Sequence, residues 1–99
     1  FNFKTEFTET INAPEQTNAA VSVAKGISSI VDENCNPMAF SEDFAIFSRE
    51  TPGCFILLGN GTEGTAGQPL HASNYDFNDD VLTTGAAFWV RLVSDRLPL

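Results

Sequence analysis

One short apolar run, residues 54–58 (CFILL), constrains the fold of this chain more than any other feature. Pro52-Gly53 precedes the run and Gly59-Asn60-Gly61 follows it, so turn-forming residues bound it on both sides. A continuous apolar run of this length is typical of a strand that is buried on both faces. The run therefore predicts a sheet covered by helices, and with it an α/β fold built in layers.

Two helices are predicted before this strand. From Glu15 to Asp32 the apolar residues follow helical spacing, and Pro14 suits the first turn because its missing N–H is not needed there. Asn34, Asn36 and Pro37 are expected to end this helix. A second helix is predicted to begin at Ser41, a favourable N-cap residue, and to stop at Thr51-Pro52-Gly53.

The two ends of the chain also carry clear patterns. Residues 1–10 alternate, with Phe1, Phe3, Thr5 and Phe7 on one side, which predicts a strand with one buried face. Residues 59–73 are rich in Gly, Thr, Ser and Pro and are predicted to be a loop. A last helix is predicted from about Asn78, with a broad apolar stripe and basic residues toward its end.

Composition excludes several classes of function. The chain has 99 residues, enough for one small domain, and a net charge of −8, which argues against binding to nucleic acid or to an anionic membrane surface. No apolar run approaches the length of a membrane span. Cys35 and Cys54 stand apart, and Cys54 is expected to be a reduced, buried thiol, which fits a reducing cytoplasm. Phe1 in place of Met predicts that the chain was cut from a longer protein.

The loop that follows the apolar run concentrates polar side chains at the carboxyl end of the predicted strand, where open α/β sheets bind their ligands. It contains His71, the chain's one histidine. Taken alone, His71 is either a metal ligand or a surface imidazole, and the two cysteines do not complete a zinc site with it. Gly59-Asn60-Gly61 in the same loop is either an anion-binding turn or only a tight turn.

Two acidic clusters invite a catalytic interpretation and also have a simpler one. Ser41-Glu42-Asp43 could supply paired carboxylates, but helix capping explains the same three residues. Asp76, Asp79 and Asp80 lack the spacing of a calcium loop and are expected to be a solvated helix start.

Together, these segments resemble a known family. Ser41-Glu42-Asp43-Phe44-Ala45, Pro52-Gly53, Leu58-Gly59-Asn60-Gly61, Leu70-His71 and Tyr75-Asp76-Phe77-Asn78-Asp79 occur in the order found in the C-terminal region of the peptidase M20 amidohydrolases. The similarity is greatest to the hippurate hydrolase, N-acyl-amino-acid and auxin-conjugate amidohydrolase branch. It covers most of the chain from about Asn12 onward.

The resemblance implies a fold and an activity. The chain would be a partial catalytic domain of an M20-type metallohydrolase, with helix–strand layers and a terminal strand from the satellite domain. Residues 1–11 would be the end of the satellite (lid) domain, and residues 12–99 the C-terminal segment of the catalytic domain. The parent would hold two divalent metal ions, zinc or manganese, and cleave the amide bond of N-acyl amino acids with a metal-activated water.

The resemblance also implies roles for individual residues. His71 matches the last metal ligand of the family, and the other ligands and the general base would lie upstream of this chain. Ser41 and Glu42 would support the site without acting as the base. The turn formed by Gly59, Asn60 and Gly61 would line the substrate cleft.

Two hypotheses about function follow. The first is an enzyme fragment, inactive alone, whose partners are a small N-acyl amino acid substrate, the remainder of the parent chain and, in one arrangement, further copies of the parent. The second is a stand-alone, non-enzymatic interaction module in which His71 and the acidic loop have no metal role. The first predicts a cytoplasmic enzyme that binds neither nucleic acid nor membrane.

Overall fold

A computed structural model of the chain describes residues 7–97. Within that range the chain forms helix α1 (Pro14–Lys25), helix α2 (Phe44–Glu50), a 3₁₀ turn (Asp79–Val81) and helix α3 (Leu82–Arg96). The chain divides into two compact units, with the boundary between Ile56 and Leu57. The first unit contains α1 and α2, and the second contains the 3₁₀ turn and α3.

Helix α1 begins where the sequence predicts and ends earlier. Pro14 occupies the first turn, as expected, but the helix stops at Lys25 and not at Asp32. Gly26 is the C-cap residue, and its N–H donates to the carbonyl oxygen of Val23 over 3.1 Å. Glycine loses more conformational entropy in a helix than any other residue, so Gly26 ends the helix although the apolar spacing continues beyond it.

Helix α2 corrects the prediction for its first residue. The helix begins at Phe44 with Asp43 as the N-cap, so the prediction that Ser41 caps it is wrong. The residue before the N-cap binds the first N–H of the helix, since Glu42 Oε1 accepts the Phe44 N–H over 3.3 Å. The predicted stop is confirmed: Thr51 has extended backbone angles, as expected for a residue that precedes a proline.

The prediction that Asn78 caps the last helical segment is confirmed. Asn78 has extended backbone angles, and its side chain accepts the Asp80 N–H over 3.0 Å, as an N-cap does. The cap opens a single 3₁₀ turn, and α3 continues from Leu82.

The predicted strands do not form within the described part of the chain. Residues 7–97 contain no β-strand, and residues 1–6 of the predicted first strand lie outside the described range. Ile56, Leu57 and Leu58, predicted to be buried on both faces, keep 43%, 59% and 53% of their surface exposed. A strand is held by hydrogen bonds to a neighbouring strand, and the described residues supply none. The α/β layers and the terminal strand therefore remain predictions.

In the first unit a side-chain amide holds the segment after α2 to the start of α1. The Asn12 Nδ2 donates to the Phe55 carbonyl oxygen over 2.9 Å, and the Phe55 N–H donates to Asn12 Oδ1 over 2.7 Å. The Phe44 and Phe55 rings pack with their centroids 5.4 Å apart. Asn12 thus takes the place of a backbone partner for residue 55, which carries no ladder hydrogen bonds.

The buried core of the described residues is small. The buried apolar side chains are Ala20, Val23, Ala45 and Phe88. Many larger apolar side chains remain at least two-fifths exposed, and they include Phe7, Ile11, Ile30, Met38, Phe40, Ile46, Phe47, Leu70, Phe77, Leu82, Trp89, Val90, Val93 and Leu97. Full burial of one such side chain contributes about 1.5–3 kcal/mol, and most of that contribution is not realised within these residues.

Cys54 is half-buried and not fully buried as expected, and Cys35 is exposed. Both are free thiols. No helix among residues 7–97 is long and apolar enough to cross a membrane.

Candidate functional site

The polar loop of the second unit is organised by one side chain, that of Asn60. Its Nδ2 donates to two carbonyl oxygens, that of Ala66 over 2.9 Å and that of Asp76 over 2.8 Å. An amide nitrogen carries two N–H groups, so both donors of Asn60 are used. The half-buried Asn60 therefore connects the middle of the loop to its end.

A second asparagine completes this connection. Asn60 Oδ1 accepts the Asn78 N–H over 2.9 Å, and Asn78 Nδ2 donates to the Asn60 carbonyl oxygen over 2.9 Å. Asn78 thus donates two hydrogen bonds to Asn60, one from its backbone and one from its side chain. Asn78 Oδ1 also accepts the Asp80 N–H and so caps the 3₁₀ turn. Asn78 therefore connects Asn60 to the start of the last helical segment.

Glycines allow the loop backbone to turn between the points that Asn60 and Asn78 hold. Gly61 and Gly64 have positive φ angles of 146° and 61°, which glycine adopts without a Cβ penalty. Gly67 is confined in another way, because a Cβ at this position would overlap backbone atoms of Thr62 and Glu63. Its N–H donates to the Glu63 carbonyl oxygen over 3.0 Å, so the close approach is part of the turn.

We expect Gly67→Ala to destabilise the loop by about 1–3 kcal/mol, because a well-packed backbone must move to admit a methyl group. The matched control is Gly59→Ala, since nothing lies within 4 Å of a Cβ built on Gly59. That control should change the free energy of unfolding by less than about 0.5 kcal/mol. Denaturant unfolding of the full-length protein measures both, and equal stability of the two variants would contradict the close contact at Gly67.

His71 lies at a strained position of this loop. The Ala72 N–H donates to the Pro69 carbonyl oxygen over 3.0 Å, closing a four-residue turn with His71 at its third position. His71 has φ 75°, and it is the one non-glycine residue with positive φ in the described part of the chain. A non-glycine residue in this region costs on the order of 1–2 kcal/mol, so the turn holds the exposed imidazole at an energetic cost.

The described residues can provide one ligand to a metal ion but not a complete metal site. An exposed imidazole is the commonest protein ligand for zinc and similar ions. However, residues 7–97 contain no group of three or more His, Cys, Asp and Glu side chains placed to hold an ion. His71 is thus suited to be one member of a ligand set, and the described residues do not supply the other members.

Ser41 and Glu42 belong to the first unit, where they line a shallow groove. The groove is lined by Phe7, Thr8, Ser41, Glu42, Asp43, Ala45 and Ile46. The Glu42 carboxylate is half-buried and is engaged by the Phe44 N–H. This contact at the start of α2 favours a structural role for the acidic cluster over paired catalytic carboxylates.

Glu9, an exposed carboxylate of the first unit, has a lowered pKa. A hydrogen bond from its own backbone lowers its pKa, helped by the Thr8 hydroxyl at 3.2 Å and by the charge of Arg49. A general base works best with a pKa near the operating pH. A lowered pKa moves Glu9 away from that range, so Glu9 is not prepared for acid–base catalysis.

Comparison with known proteins identifies the family. The model of peptidase family M20/M25/M40 matches residues 2–95. The chain belongs to this family. This confirms the resemblance given by the five ordered segments at the level of the M20 family, whose peptidases are generally dependent on divalent metals. The narrower hippurate hydrolase branch stays a prediction.

The chain is also similar to curated relatives with two kinds of name. "Thermostable carboxypeptidase 2" and "Thermostable carboxypeptidase 1" of Saccharolobus solfataricus are each 33% identical over 78 residues, which are 78% of this chain and 19% of the relative. "IAA-amino acid hydrolase ILR1-like 2" of Arabidopsis thaliana is 43% identical over 51 residues, 52% of this chain and 12% of the relative. The match thus spans about a fifth or less of the length of these curated relatives. No solved structure matches it.

Two features of the polar loop of the second unit were not predicted from the sequence. Asn78 was predicted only as a helix cap, and its side-chain NH₂ also holds Asn60. Gly67 was not singled out at all. A signal was present at the partner residue Asn60, which lies between Gly59 and Gly61, because the side chain of an asparagine in a turn commonly bonds to nearby backbone.

Proposed function

We propose that this chain is the C-terminal segment of the catalytic domain of a metal-dependent M20 hydrolase, and that the parent cleaves the amide bond of N-acyl amino acids. The family match over residues 2–95 carries the proposal, because it covers nearly the whole chain. The names of the relatives, a carboxypeptidase and an amino acid hydrolase, both describe cleavage next to an amino acid. N-acyl amino acids are the class common to those two activities.

The segment would contribute His71 as one metal ligand. The turn supports this role, because it holds an exposed imidazole at φ 75°. Strained residues persist where the surrounding structure fixes them, and they are concentrated at functional sites. When bound, zinc or manganese would polarise the scissile carbonyl group and lower the pKa of a bound water. The other ligands and the general base would come from the rest of the parent.

The remaining predicted residues would have supporting roles. The resemblance implies that Gly59, Asn60 and Gly61 line the substrate cleft; we keep this role for Gly59 and Gly61, whose backbone belongs to the same loop as His71. Ser41 and Glu42 would support the segment that precedes α2, and the bond between the Glu42 carboxylate and the Phe44 N–H supports this role. The exposed apolar side chains of both units would pack on the remainder of the parent.

The two free thiols support a parent that works in a reducing compartment, the cytoplasm. The stand-alone interaction module is the alternative outcome of the test below, because the same exposed apolar side chains would then be its binding surface.

The proposal is tested with the full-length parent protein and a panel of N-acyl amino acids, with short peptides as competitors. We expect release of the free amino acid, loss of turnover after removal of metal with a chelator, and recovery when zinc or manganese is returned. Turnover that is unaffected by thorough chelation, with no metal in the purified protein, would contradict the metal-dependent hydrolase. A parent that hydrolyses nothing in the panel and binds a protein partner through this segment would favour the interaction module.

A further inference from the structure

We infer that Asn60 and Asn78 act as a pair that positions the turn carrying His71, so that Asn60 is a positioning residue and not a substrate contact. The inference rests on the proposed function for the role of His71. It narrows the expectation that the whole turn of residues 59–61 lines the substrate cleft, because it removes Asn60 from the residues that touch substrate.

The first observation is that the Asn60 amide has no N–H group left to offer. Both are used, by the carbonyl oxygens of Ala66 at 2.9 Å and Asp76 at 2.8 Å. Its Oδ1 already accepts the Asn78 N–H at 2.9 Å. A side chain with both donors engaged cannot donate to a substrate carbonyl or carboxylate without first breaking a bond that holds the loop.

The second observation is where those bonds go. Ala66 precedes the His71 turn in sequence and Asp76 follows it, so one amide group holds the backbone on both sides of the turn. Asn78 adds a third connection by donating to the Asn60 carbonyl oxygen over 2.9 Å. The ends of the loop that contains His71 are therefore held together by side-chain amides, with one backbone bond, from the Asp76 N–H to the Thr65 carbonyl oxygen at 3.3 Å, running alongside.

The third observation is the conformation of His71 itself. A positive φ at a non-glycine residue persists only when the surrounding structure fixes it. The turn of residues 69–72 is closed by one backbone hydrogen bond, and the Asn60–Asn78 pair supplies the constraint on either side of it. If the pair is lost, the turn is free to relax and the imidazole leaves the direction in which the turn holds it.

Two substitutions of nearly unchanged size separate the bonds of the pair. Asn60→Asp keeps an acceptor for the Asn78 N–H and replaces both donors by a carboxylate oxygen that faces two carbonyl oxygens. Asn78→Asp keeps the oxygen that caps the Asp80 N–H and replaces the single donor to Asn60 by a carboxylate oxygen that faces one carbonyl oxygen. The matched control is Gln68→Glu, since Gln68 lies in the same loop and its Nε2 makes one long bond, 3.4 Å, to the Gly64 carbonyl oxygen.

The experiment measures kcat, KM, bound metal and hydrogen exchange of residues 60–78 in the full-length parent. We expect Asn60→Asp to lower kcat about 10–100-fold, the range seen when a group that orients a metal ligand is removed, with KM changed less than about threefold. Metal content should fall, activity should recover partly in excess metal, and exchange in the loop should rise. Asn78→Asp should have a smaller effect in the same direction, and Gln68→Glu should leave all four quantities near wild type.

The outcomes distinguish this inference from the function on which it rests. A raised KM with unchanged kcat, metal content and exchange in Asn60→Asp would overturn it and make Asn60 a substrate contact. Equal effects of Asn60→Asp and Gln68→Glu would also overturn it, since added charge alone would then be the cause. If His71→Asn keeps full activity while Asn60→Asp raises loop exchange, the proposed role of His71 fails and the connection made by the pair stands.

Discussion

Replacing His71 by Asn in the full-length parent is expected to lower turnover by at least about 100-fold, because removal of groups that only orient a metal ligand already costs roughly 10–100-fold. The fold should survive. Asparagine is among the few residues that visit positive φ readily, so it can take the φ of 75° that the turn imposes. His71→Asn therefore removes the imidazole while leaving the backbone turn in place.

The measurements are kcat/KM for an N-acyl amino acid, bound metal by elemental analysis, and the melting temperature. We expect the first two to fall and the third to stay within a few degrees of wild type, since an exposed loop imidazole contributes little to the core. His71→Gly is the backbone control: it relieves the positive φ, so it should be at least as stable as wild type and equally inactive. Near-normal turnover with full metal occupancy in His71→Asn would show that the assignment of His71 is wrong.

Local signals in the sequence predicted the helices and three of their ends. Pro14 marks the start of α1, Thr51 before Pro52 marks the end of α2, and Asn78 opens the last helical segment. Each of these signals works through the dihedral angles or hydrogen bonds of a few adjacent residues, so no distant contact is needed to interpret it. The end of α1 was wrong because the apolar spacing continues to Val31 while Gly26 breaks the helix locally.

The predicted strand of residues 54–58 shows why the rest could not be obtained in the same way. Apolar character predicts burial, but a strand exists only with a neighbour for its backbone groups. In the described residues that neighbour is missing, and the Asn12 side chain pairs with the backbone of Phe55 in its place. The sequence therefore indicates that residues 54–58 are suited to a buried strand. The described residues do not supply the neighbouring strand that it would need.

The candidate site divides in the same manner. His71 was selected by resemblance, and its strained turn could not be predicted, because a positive φ at a histidine depends on bonds closed from residues up to eleven positions away. The Asn60–Asn78 pair was missed for a related reason. Hydrogen bonds between residues 18 apart leave no periodic pattern in a sequence, and only the folded loop brings the two amides together.

The 99-residue chain alone is expected to hydrolyse no N-acyl amino acid and to bind zinc or manganese only weakly. Within residues 7–97 no three potential ligands are placed to share an ion, so binding would rest on the single imidazole of His71. Zinc sites need three or four protein ligands, and without them neither a held ion nor an activated water is available. The intact parent, assayed beside the chain, should show both turnover and bound metal.

Isothermal calorimetry of the chain, with its His71→Asn variant as the matched control, measures this directly. We expect weak binding by the chain that is further reduced in the variant, because the same imidazole would carry most of it. Submicromolar binding by the isolated chain would contradict a site divided between this segment and the rest of the parent, since one exposed imidazole on a turn cannot provide that affinity. Weak binding that is identical in the chain and in the variant would remove His71 from the ligand set while leaving the divided site intact, because the acidic side chains would then account for the metal that is held.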